Sequence, residues 1–172
     1  LFGDREYSSA RLTTDGKFDR TYGRFEARLQ LPTGQGLWPA FWLLGSNIHS
    51  VGWPSCGEID VMENRGQESA VVRGSVHGPE YSGGQNLGRD TSVSGGGLHE
   101  GFHDYAVEWT ENRIEWSVDG YTYFSVNRAD IPGRWVFDHP HHILLNVAVG
   151  GNYVGPPDAS TVFPQRMIVD HV

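Results

Sequence analysis

The sequence predicts an all-β fold, a jelly-roll β-sandwich of two curved antiparallel sheets with a concave cleft. Its 172 residues are enough for one domain with a sizeable core, and no linker or repeat divides residues 1–172. The chain holds 23 Gly and 9 Pro beside 6 Trp, 7 Tyr and 8 Phe, and such a mixture of turn formers and aromatic residues is typical of many short strands. Segments of alternating apolar and polar residues recur at short intervals, as in antiparallel sandwiches.

Ten segments have the composition and alternation of strands. They are residues 8–13, 22–31, 38–44, 58–64, 71–77, 103–109, 113–118, 121–126, 142–149 and 165–172. In the second of them, Phe25, Ala27 and Leu29 alternate with charged residues, and the third repeats this alternation with aromatic residues. One set of side chains on each strand is expected to face the core, and the other faces outward or onto the cleft.

The connections between these segments carry turn signals. Gly-rich runs at residues 81–84 and 94–97 predict loop tips. Asp119-Gly120 separates two of the predicted strands and is a strong signal for a two-residue hairpin. Helix is scarce: residues 127–131 predict a single turn, with Asn127 as its N-cap.

The fourth segment contains three carboxylates, Glu58, Asp60 and Glu63, in a run of six residues. Acidic side chains are poor strand formers, yet the residues between these acids are those of a half-buried strand. Because side chains alternate between two faces, Glu58 and Asp60 share a face, whereas strict alternation turns Glu63 away. A β-bulge at Val61-Met62 supplies one extra residue and returns Glu63 to that face. We therefore expect all three carboxyls in one cleft.

Such a row of acids has a specific chemical use. Like charges at close range raise the pKa of at least one carboxyl, which yields a neutral acid beside an ionised carboxylate, as glycoside hydrolysis requires. Retaining enzymes hold the two carboxyls about 5–5.5 Å apart, whereas residues an effective four apart on a strand have Cα atoms roughly 13 Å apart. Retention therefore does not follow from spacing alone. The alternative interpretation is a solvated strand face with scattered acids.

The amino-acid composition limits the classes of molecule that the protein can bind. The formal net charge is −8, from 21 acidic against 13 basic residues, with Lys17 as the single lysine. This balance argues against nucleic acid and anionic membrane surfaces and favours a neutral ligand such as a glycan. No apolar run approaches membrane-spanning length, and no signal peptide is visible. Cys56 is the only cysteine, so no internal disulfide forms, and we interpret it as a packed residue rather than a nucleophile.

The acidic motif stands among other recognisable segments. GEIDVMEN at residues 57–64 is accompanied by LWPAFWL at 37–43, GWP at 52–54, the stretch 102–109, Asp119-Gly120, WVFDHP at 135–140 and NVAVGGN at 146–152. In this order and context, these segments resemble the laminarinase branch of glycoside hydrolase family 16. The resemblance runs across nearly the whole chain, and the carboxylate motif is its most specific part.

That resemblance implies a jelly-roll endo-glucanase that cleaves internal β-1,3 bonds of laminarin-like glucans with retention. Carried onto this sequence, Glu58 is the nucleophile and Glu63 the general acid/base, and Asp60 between them tunes the nucleophile. The bulged motif with Met62 is the form seen in laminarinases. The alternatives are another family activity, on mixed-linkage β-1,3-1,4-glucan or a galactan, a non-catalytic β-glucan-binding domain, and an inactive structural fragment.

Flat aromatic side chains that stack on sugar rings are the expected binding residues. The resemblance puts Trp42 and Trp53 near the cleavage site, and we extend the expectation to Trp38 and Trp135. For each of these four residues, burial in the core is the alternative. Tyr153 stands where many relatives have Trp, so sugar stacking there is expected to differ.

Two nitrogen-bearing side chains, those of a histidine and an arginine, are further candidates for substrate binding. His77 follows the acidic strand on its predicted neighbour and could hydrogen-bond a carboxyl or a sugar hydroxyl, with simple packing as the alternative. Arg28 could bind the glucan or orient the nucleophile, and its alternative is a surface salt bridge. Trp109 and Trp116 lie in alternating strands and are predicted to be core residues.

Catalysis is expected to need no cofactor. Many relatives bind a structural calcium ion on the convex side, and Asp170 matches the carboxylate that serves it. The other ligands, largely backbone carbonyls, would belong to a segment ahead of this chain. His139, His141 and His142 suggest zinc by composition, but adjacent residues of a strand face opposite ways and no cysteine lies near them, so we expect no zinc site.

The resemblance also sets expectations for the whole protein. Relatives usually carry strands ahead of residue 7 and continue past residue 172. We therefore expect one catalytic domain, residues 1–172, that lacks N-terminal strands and the last C-terminal residues of its relatives. Because polymeric glucans lie outside the cell, we expect by analogy a secreted monomer whose partner is a β-glucan polysaccharide, with no nucleic-acid or membrane partner.

Overall fold

The computed structural model describes residues 6–172, and residues 1–5 of the predicted domain lie outside this range. The strands in this range are β1 (Arg11–Thr13), β2 (Asp19–Arg20), β3 (Gly23–Gln30), β4 (Leu37–Gly45), β5 (Glu58–Glu63), β6 (Val71–His77), β7 (Leu87–Ser92), β8 (His103–Trp109), β9 (Arg113–Val118), β10 (Tyr121–Asn127), β11 (His141–Val149) and β12 (Ile168–His171). One short helix, α1, spans Ile48–Val51, and 3-10 turns span Gly83–Gln85 and Arg128–Asp130. None of the helices in residues 6–172 has the length and hydropathy that a membrane span needs.

The strands form two antiparallel sheets, which confirms the predicted all-β sandwich. The cleft sheet has the order β1-β11-β4-β5-β6-β7, with β2 also paired to β11. The outer sheet has the order β10-β9-β8-β3-β12. The longest ladder joins β4 to β11, from the pair Gly45–His141 to the pair Leu37–Val149. Strand β4 also pairs with β5, so these three strands form the middle of the cleft sheet.

The core lies between the two sheets. In β3 the alternating Phe25, Ala27 and Leu29 are buried, while the residues between them are half-exposed. Trp109 of β8 and Trp116 of β9 are fully buried, as predicted. Large aromatic rings of this kind contribute much of the apolar area that holds two sheets together, and a buried indole needs an acceptor for its N–H. Both indoles have one in a backbone carbonyl.

All ten predicted strands are present, but β1 and β12 are shorter than the predicted segments 8–13 and 165–172. The sequence does not predict β2, β7 or α1. Strand β7 has the sequence LGRDTS, with no apolar alternation, and lies at an edge of the cleft sheet. It forms because β6 offers ladder partners along its whole length, and such non-local pairing leaves no signal in the strand's own sequence.

Two predicted local signals are confirmed. Asp119 and Gly120, between β9 and β10, have φ values of 50° and 77°, which are the left-handed values of a two-residue hairpin turn. The turn after β10 is capped by Asn127, whose backbone N–H and side-chain amide both donate to Oδ2 of Asp130, at 3.0 and 2.8 Å.

The histidines just ahead of β11 and at its first residue lie beside the loop that precedes β5, and His139 contacts it directly. His139 Nε2 lies 3.0 Å from the carbonyl oxygen of Cys56. Gly45 is packed against the same carbonyl, which a Cβ at that position would approach to 1.8 Å. His141 is fully buried, and burial lowers its pKa to about 3, so its ring is neutral. Burial also raises the pKa of the Cys56 thiol to about 11, which fits a packed residue rather than a nucleophile.

Substituting Gly120 by alanine tests the hairpin. We expect Gly120→Ala to lower the free energy of unfolding by about 1 kcal/mol, because an L side chain disfavours this φ value. An added Cβ meets no atom within 4 Å at Gly120, so a clash does not contribute.

Gly101→Ala is the matched control, because Gly101 is equally open but does not have a left-handed φ. It should change the free energy of unfolding by no more than about 0.5 kcal/mol. Urea unfolding followed by tryptophan fluorescence measures both variants, and equal losses would contradict the assigned turn.

Candidate active site

Strand β5 carries the predicted bulge. On the β4 side, Trp42 pairs with Asp60, and the adjacent Phe41 pairs with Met62, so Val61 is the extra residue. The register with β6 shifts over the same stretch. A bulge adds one residue to one strand and resets the face on which the following side chains project. The residue after Met62 therefore returns to the face of Asp60.

Glu58, Asp60 and Glu63 consequently line one cavity of about 380 Å³ in the cleft sheet. Asp60 and Glu63 are buried, and Glu58 is partly buried. The expectation that the three carboxyls share a cleft is confirmed. The other residues around the cavity come from β1, β4, β11 and the segment before β1, and they are Ser9, Ala10, Arg11, Trp38, Ala40, Trp42, Asn146, Val147 and Ala148.

Asp60 receives two hydrogen bonds from the neighbouring strand β6. Ser75 Oγ donates to Asp60 Oδ2 at 2.6 Å. His77 Nε2 lies 3.0 Å from the same oxygen and 3.7 Å from Glu58 Oε1. His77 thus contacts carboxyls, as one of its two predicted roles required.

The two glutamates each accept a hydrogen bond from an indole. Trp53 Nε1 donates to Glu58 Oε2 at 3.1 Å, and Trp38 Nε1 donates to Glu63 Oε1 at 3.0 Å. Because an indole N–H only donates, both contacts are compatible with an ionised carboxylate or with the carbonyl oxygen of a neutral acid.

Ser75 lies between Asp60 and Glu63. Its oxygen is 3.4 Å from Glu63 Oε2, in addition to the short contact with Asp60. A hydroxyl has a single proton, and the shorter contact takes it, so the Ser75 oxygen presents lone pairs to Glu63. A protonated Glu63 carboxyl fits this arrangement best.

Burial raises the pKa of both glutamates. The pKa of Glu58 rises to about 9 and that of Glu63 to about 8, first because burial disfavours the charged form and next because of the negative charge of Asp60. The hydrogen bonds from Trp53 and Trp38 act in the opposite direction. The three carboxyls therefore do not all carry a charge at neutral pH.

Glu58, Asp60 and His77 form the one group of three potential metal ligands in the described range 6–172, with ligand atoms within 4.8 Å of one another. However, His77 Nδ1 accepts a hydrogen bond from the backbone N–H of Gly83 at 3.0 Å. The proton of the neutral ring therefore lies on Nε2, the atom that faces the carboxyls, and a protonated nitrogen cannot bind a metal ion. We interpret His77 as a donor to Asp60 rather than as a metal ligand.

Three of the four predicted stacking residues lie at the cleft. Trp38 and Trp42 line the cavity, and Trp53 is half-exposed beside Glu58. The Trp38 ring also contacts Tyr153, at a centroid distance of 5.1 Å. An indole that has one face open can stack on the apolar face of a sugar ring.

Sequence reasoning missed Arg11, Asn146 and Ser75. The Arg11 guanidinium lies over the Trp42 ring at 4.7 Å, and Trp42 Nε1 donates to Asn146 Oδ1 at 2.8 Å. Arg11 and Asn146 are ladder partners. The available signal was a polar residue among apolar ones in β11, but its contact with Trp42 depends on strand order, which the sequence does not reveal.

The prediction that Arg28 binds glucan or orients the nucleophile is wrong. Arg28 lies in β3 of the outer sheet, and its guanidinium is 3.3 Å from Asp104 and 3.6 Å from Asp170. Its side chain points away from the core because Ala27 and Leu29 occupy the inward positions of the strand. The alternative, a surface salt bridge, is correct.

The prediction that Trp135 stacks on substrate is also wrong. Trp135 is buried in the core, edge to face against Phe137 at a centroid distance of 5.0 Å. Arg128 lies 5.8 Å from the centre of its ring. Trp135 lies in the connection between the 3-10 turn Arg128–Asp130 and β11. The alternative given for each tryptophan, burial in the core, is correct for this one.

The calcium ligand role of Asp170 stays a prediction. The Asp170 carboxylate is exposed and lies 3.6 Å from the Arg28 guanidinium and 3.1 Å from His171 Nδ1, so it already has a cationic partner in Arg28. No group of three carboxylate or imidazole ligands surrounds it among residues 6–172. The carboxylate and imidazole side chains in this range therefore do not complete a calcium site around Asp170 by themselves.

The buried Glu63 carboxyl makes stability depend on pH. The fold keeps a proton on Glu63 up to about pH 8, whereas the unfolded chain releases it near pH 4.5, so the free energy of unfolding falls as the pH rises between these values. Glu63→Gln removes this penalty. It should be more stable than the wild type by on the order of 1–3 kcal/mol at about pH 9 and show no advantage at about pH 4.

Urea unfolding at these two pH values measures this difference. Glu111→Gln is the control, since Glu111 is exposed and should behave like the wild type at every pH. The raised pKa of Glu63 would be refuted if the difference in free energy of unfolding between Glu63→Gln and the wild type were the same at acid and at alkaline pH.

The comparisons with known proteins agree with this geometry. The family model of glycosyl hydrolases family 16 matches residues 3–162. A β-glucanase of Rhodothermus marinus is 42% identical over 98% of this chain and 62% of its own length. The laminarinase catalytic domain of Thermotoga maritima MSB8 superposes with a TM-score of 0.91 at 49% identity, over 93% of this chain and 66% of that one. The endo-β-1,3-glucanase of Pyrococcus furiosus superposes with a TM-score of 0.90 at 48% identity, over 93% of this chain and 63% of its own length.

The chain thus spans about two thirds of the length of these relatives. The match to the family model and the identity to these relatives show that the chain belongs to glycosyl hydrolases family 16.

Proposed function

We propose that this chain is a retaining endo-β-1,3-glucanase that hydrolyses internal bonds of laminarin-like β-glucans. The observation that carries the proposal is the bulge in β5, which brings Glu58 and Glu63 to one cavity with Asp60 between them in the sequence. Family membership supports it, and the similar proteins reported above are named as β-glucanases and laminarinases.

In the proposed first step, the Glu58 carboxylate attacks the anomeric carbon while Glu63 donates its proton to the departing glycosidic oxygen. Burial keeps that proton on Glu63 at neutral pH. The attacking form of Glu58 is the ionised one. Burial and the charge of Asp60 raise the pKa of Glu58 to about 9, so Glu58 must lose its proton before the attack, and the indole N–H of Trp53 and the positive charge of Arg11 favour that loss. The bond to the leaving glucan breaks as a covalent bond forms between Glu58 and the sugar.

In the second step, Glu63 is ionised and takes a proton from a water molecule that attacks the same carbon, which releases Glu58. Asp60 stays between the two glutamates, held by Ser75 and His77. Its charge helps to return a proton to Glu63, because two neighbouring carboxylates resist ionising together. The configuration at the anomeric carbon is retained after two inversions.

The alternative within the enzyme class is that this chain uses the same carboxyls to hydrolyse mixed-linkage glucan or a galactan. A non-catalytic glucan-binding domain is the alternative outside that class. It is disfavoured because a binding domain has no use for two glutamates, one buried and one partly buried, whose raised pKa values cost stability. We further propose that the protein acts outside the cell, because polymeric glucans are found there, and that it is a monomer.

Glu58→Gln separates catalysis from binding. Turnover of laminarin should fall by at least about 1,000-fold, because an amide cannot form the covalent intermediate, whereas the dissociation constant for laminari-oligosaccharides should change by no more than about threefold. Reducing-sugar release and calorimetric titration measure the two quantities. Glu111→Gln, at an exposed glutamate outside the cleft, should match the wild type. Undiminished turnover in Glu58→Gln would remove Glu58 from its proposed role.

The substrate class is tested by product analysis on laminarin, lichenan and agarose. We expect internal cleavage of laminarin, with oligosaccharides of several lengths at early times, and nuclear magnetic resonance of the first products should detect the β-anomer. Intact laminarin beside a cleaved galactan would overturn the substrate, and an initial α-anomer would overturn retention.

Ser75→Ala tests the link between Asp60 and Glu63. Loss of the hydroxyl removes a hydrogen bond to a charged group, typically worth about 1.5–3 kcal/mol, so kcat should fall about tenfold or more and the alkaline limb of the pH profile should move. Ser117→Ala, in the outer sheet, is the control. An unchanged pH profile in Ser75→Ala would contradict a role for Ser75 in proton placement.

A further inference from the structure

Trp116 reaches from one sheet into the other. It lies in β9 of the outer sheet, yet its indole N–H donates to the main-chain carbonyl of Asp60 in β5 at 2.8 Å. Carbonyls in a regular ladder bond to a neighbouring strand of their own sheet. Here the donor is a side chain from the facing sheet, and the acceptor is the residue directly before the extra residue Val61.

Gly74 of β6 makes room for this contact. It stands opposite the bulge, between the residues that pair with Asp60 and Glu63. A Cβ at Gly74 would come 2.4 Å from Cδ1 of Trp116 and 2.6 Å from the hydroxyl of Tyr123. The backbone of Gly74 is not in the left-handed region, so the close approach of the indole, and not the backbone conformation, is what requires glycine here.

The indole is itself held in place. Trp116 has no exposed surface, and its ring lies against Phe124 at a centroid distance of 4.8 Å. Its ladder partners are Val107 in β8 and Phe124 in β10, so strands on both sides fix its backbone. A buried ring in this position has one accessible orientation, and the N–H is therefore a fixed donor.

Resting on the proposed function, we infer that Trp116 is a positioning residue of the active site. Its hydrogen bond fixes the peptide that follows Asp60, and the bulge that begins there sets the directions in which the Asp60 and Glu63 side chains project. Trp116 touches neither substrate nor carboxyl and acts through the backbone. Because a displacement of about 1 Å in a reacting group can reduce the rate about 100-fold, a small rotation of this peptide is enough to matter.

Trp116→Phe removes the donor and retains an aromatic ring, and Trp109→Phe is its matched control. Trp109 is also fully buried and also donates its indole N–H to a backbone carbonyl, but that of Phe137 at 3.0 Å, away from the bulge. Both variants therefore lose the same chemical group and a similar amount of packing. The melting temperature, kcat, KM and the pH profile on laminarin are measured for each.

We expect both variants to melt at lower temperatures. Trp116→Phe should lose about 10- to 100-fold in kcat with KM changed less than about threefold, and the alkaline limb of its pH profile should shift. Trp109→Phe should keep the kcat and the pH profile of the wild type. If Trp116→Phe retains both quantities, or if the two variants lose kcat equally, the inference is overturned.

A second variant serves if Trp116→Phe does not fold. Replacing Trp116 by β-(3-benzothienyl)alanine retains the bicyclic shape and deletes the N–H donor, and the same replacement at position 109 is its control. The expected and the overturning results are those of the phenylalanine pair.

Failure of the proposed function is distinguishable from failure of the inference. A wild-type protein that cleaves none of the tested glucans refutes the enzyme activity. The inference is then decided by carbon-13 titration of the Asp60 and Glu63 carboxyls. Altered titration in Trp116→Phe but not in Trp109→Phe supports it, and equal titration in both overturns it.

Discussion

One extra residue in β5 is the constraint on which the site depends. Ile59, Val61 and Met62 are all buried in the core, so the strand meets the demand for apolar burial only by turning two consecutive side chains inward. Burying a side chain such as Val or Met contributes about 1.5–3 kcal/mol, which outweighs the local loss of ladder hydrogen bonds. The acids are then left on the opposite face. Hydrophobic burial on one side of the strand thus produces the row of carboxyls on the other.

The buried carboxyls are hydrogen-bonded by groups that are mostly neutral. Trp53 and Trp38 donate to the glutamates, and Ser75 and His77 contact Asp60. An adjacent guanidinium would hold each carboxylate in its charged form and lower its pKa. A neutral donor does so less strongly, so burial prevails and the pKa values of the glutamates stay raised. A carboxyl in this state can release and recover a proton within one catalytic cycle, which a firmly paired ion cannot.

The features that could be predicted from the sequence are those that local alternation determines. The ten strands, the bulge and the shared face of Glu58 and Glu63 follow from which positions are apolar. Features that depend on strand order could not be predicted. Ser75 reaches Asp60 only because β6 is the neighbour of β5, and β7 exists only because it pairs with β6. The wrong role given to Arg28 has the same origin, since its own strand does not reveal which sheet it joins.

A comparison of β3 with β5 indicates how such an error can be avoided. Both strands combine charged and apolar residues. In β3, however, acids and bases interleave two residues apart, and Arg24 forms ion pairs with Glu26 of its own strand and with Glu108 of the adjacent strand. Exposed pairs of this kind contribute about 0–1 kcal/mol and need no further partner. Residues 57–64 contain three acids and no lysine or arginine. Acids without interleaved bases must find donors elsewhere in the fold or share protons with one another. Both outcomes shift pKa values, so the charged strand that lacks basic residues is the one to examine for chemistry.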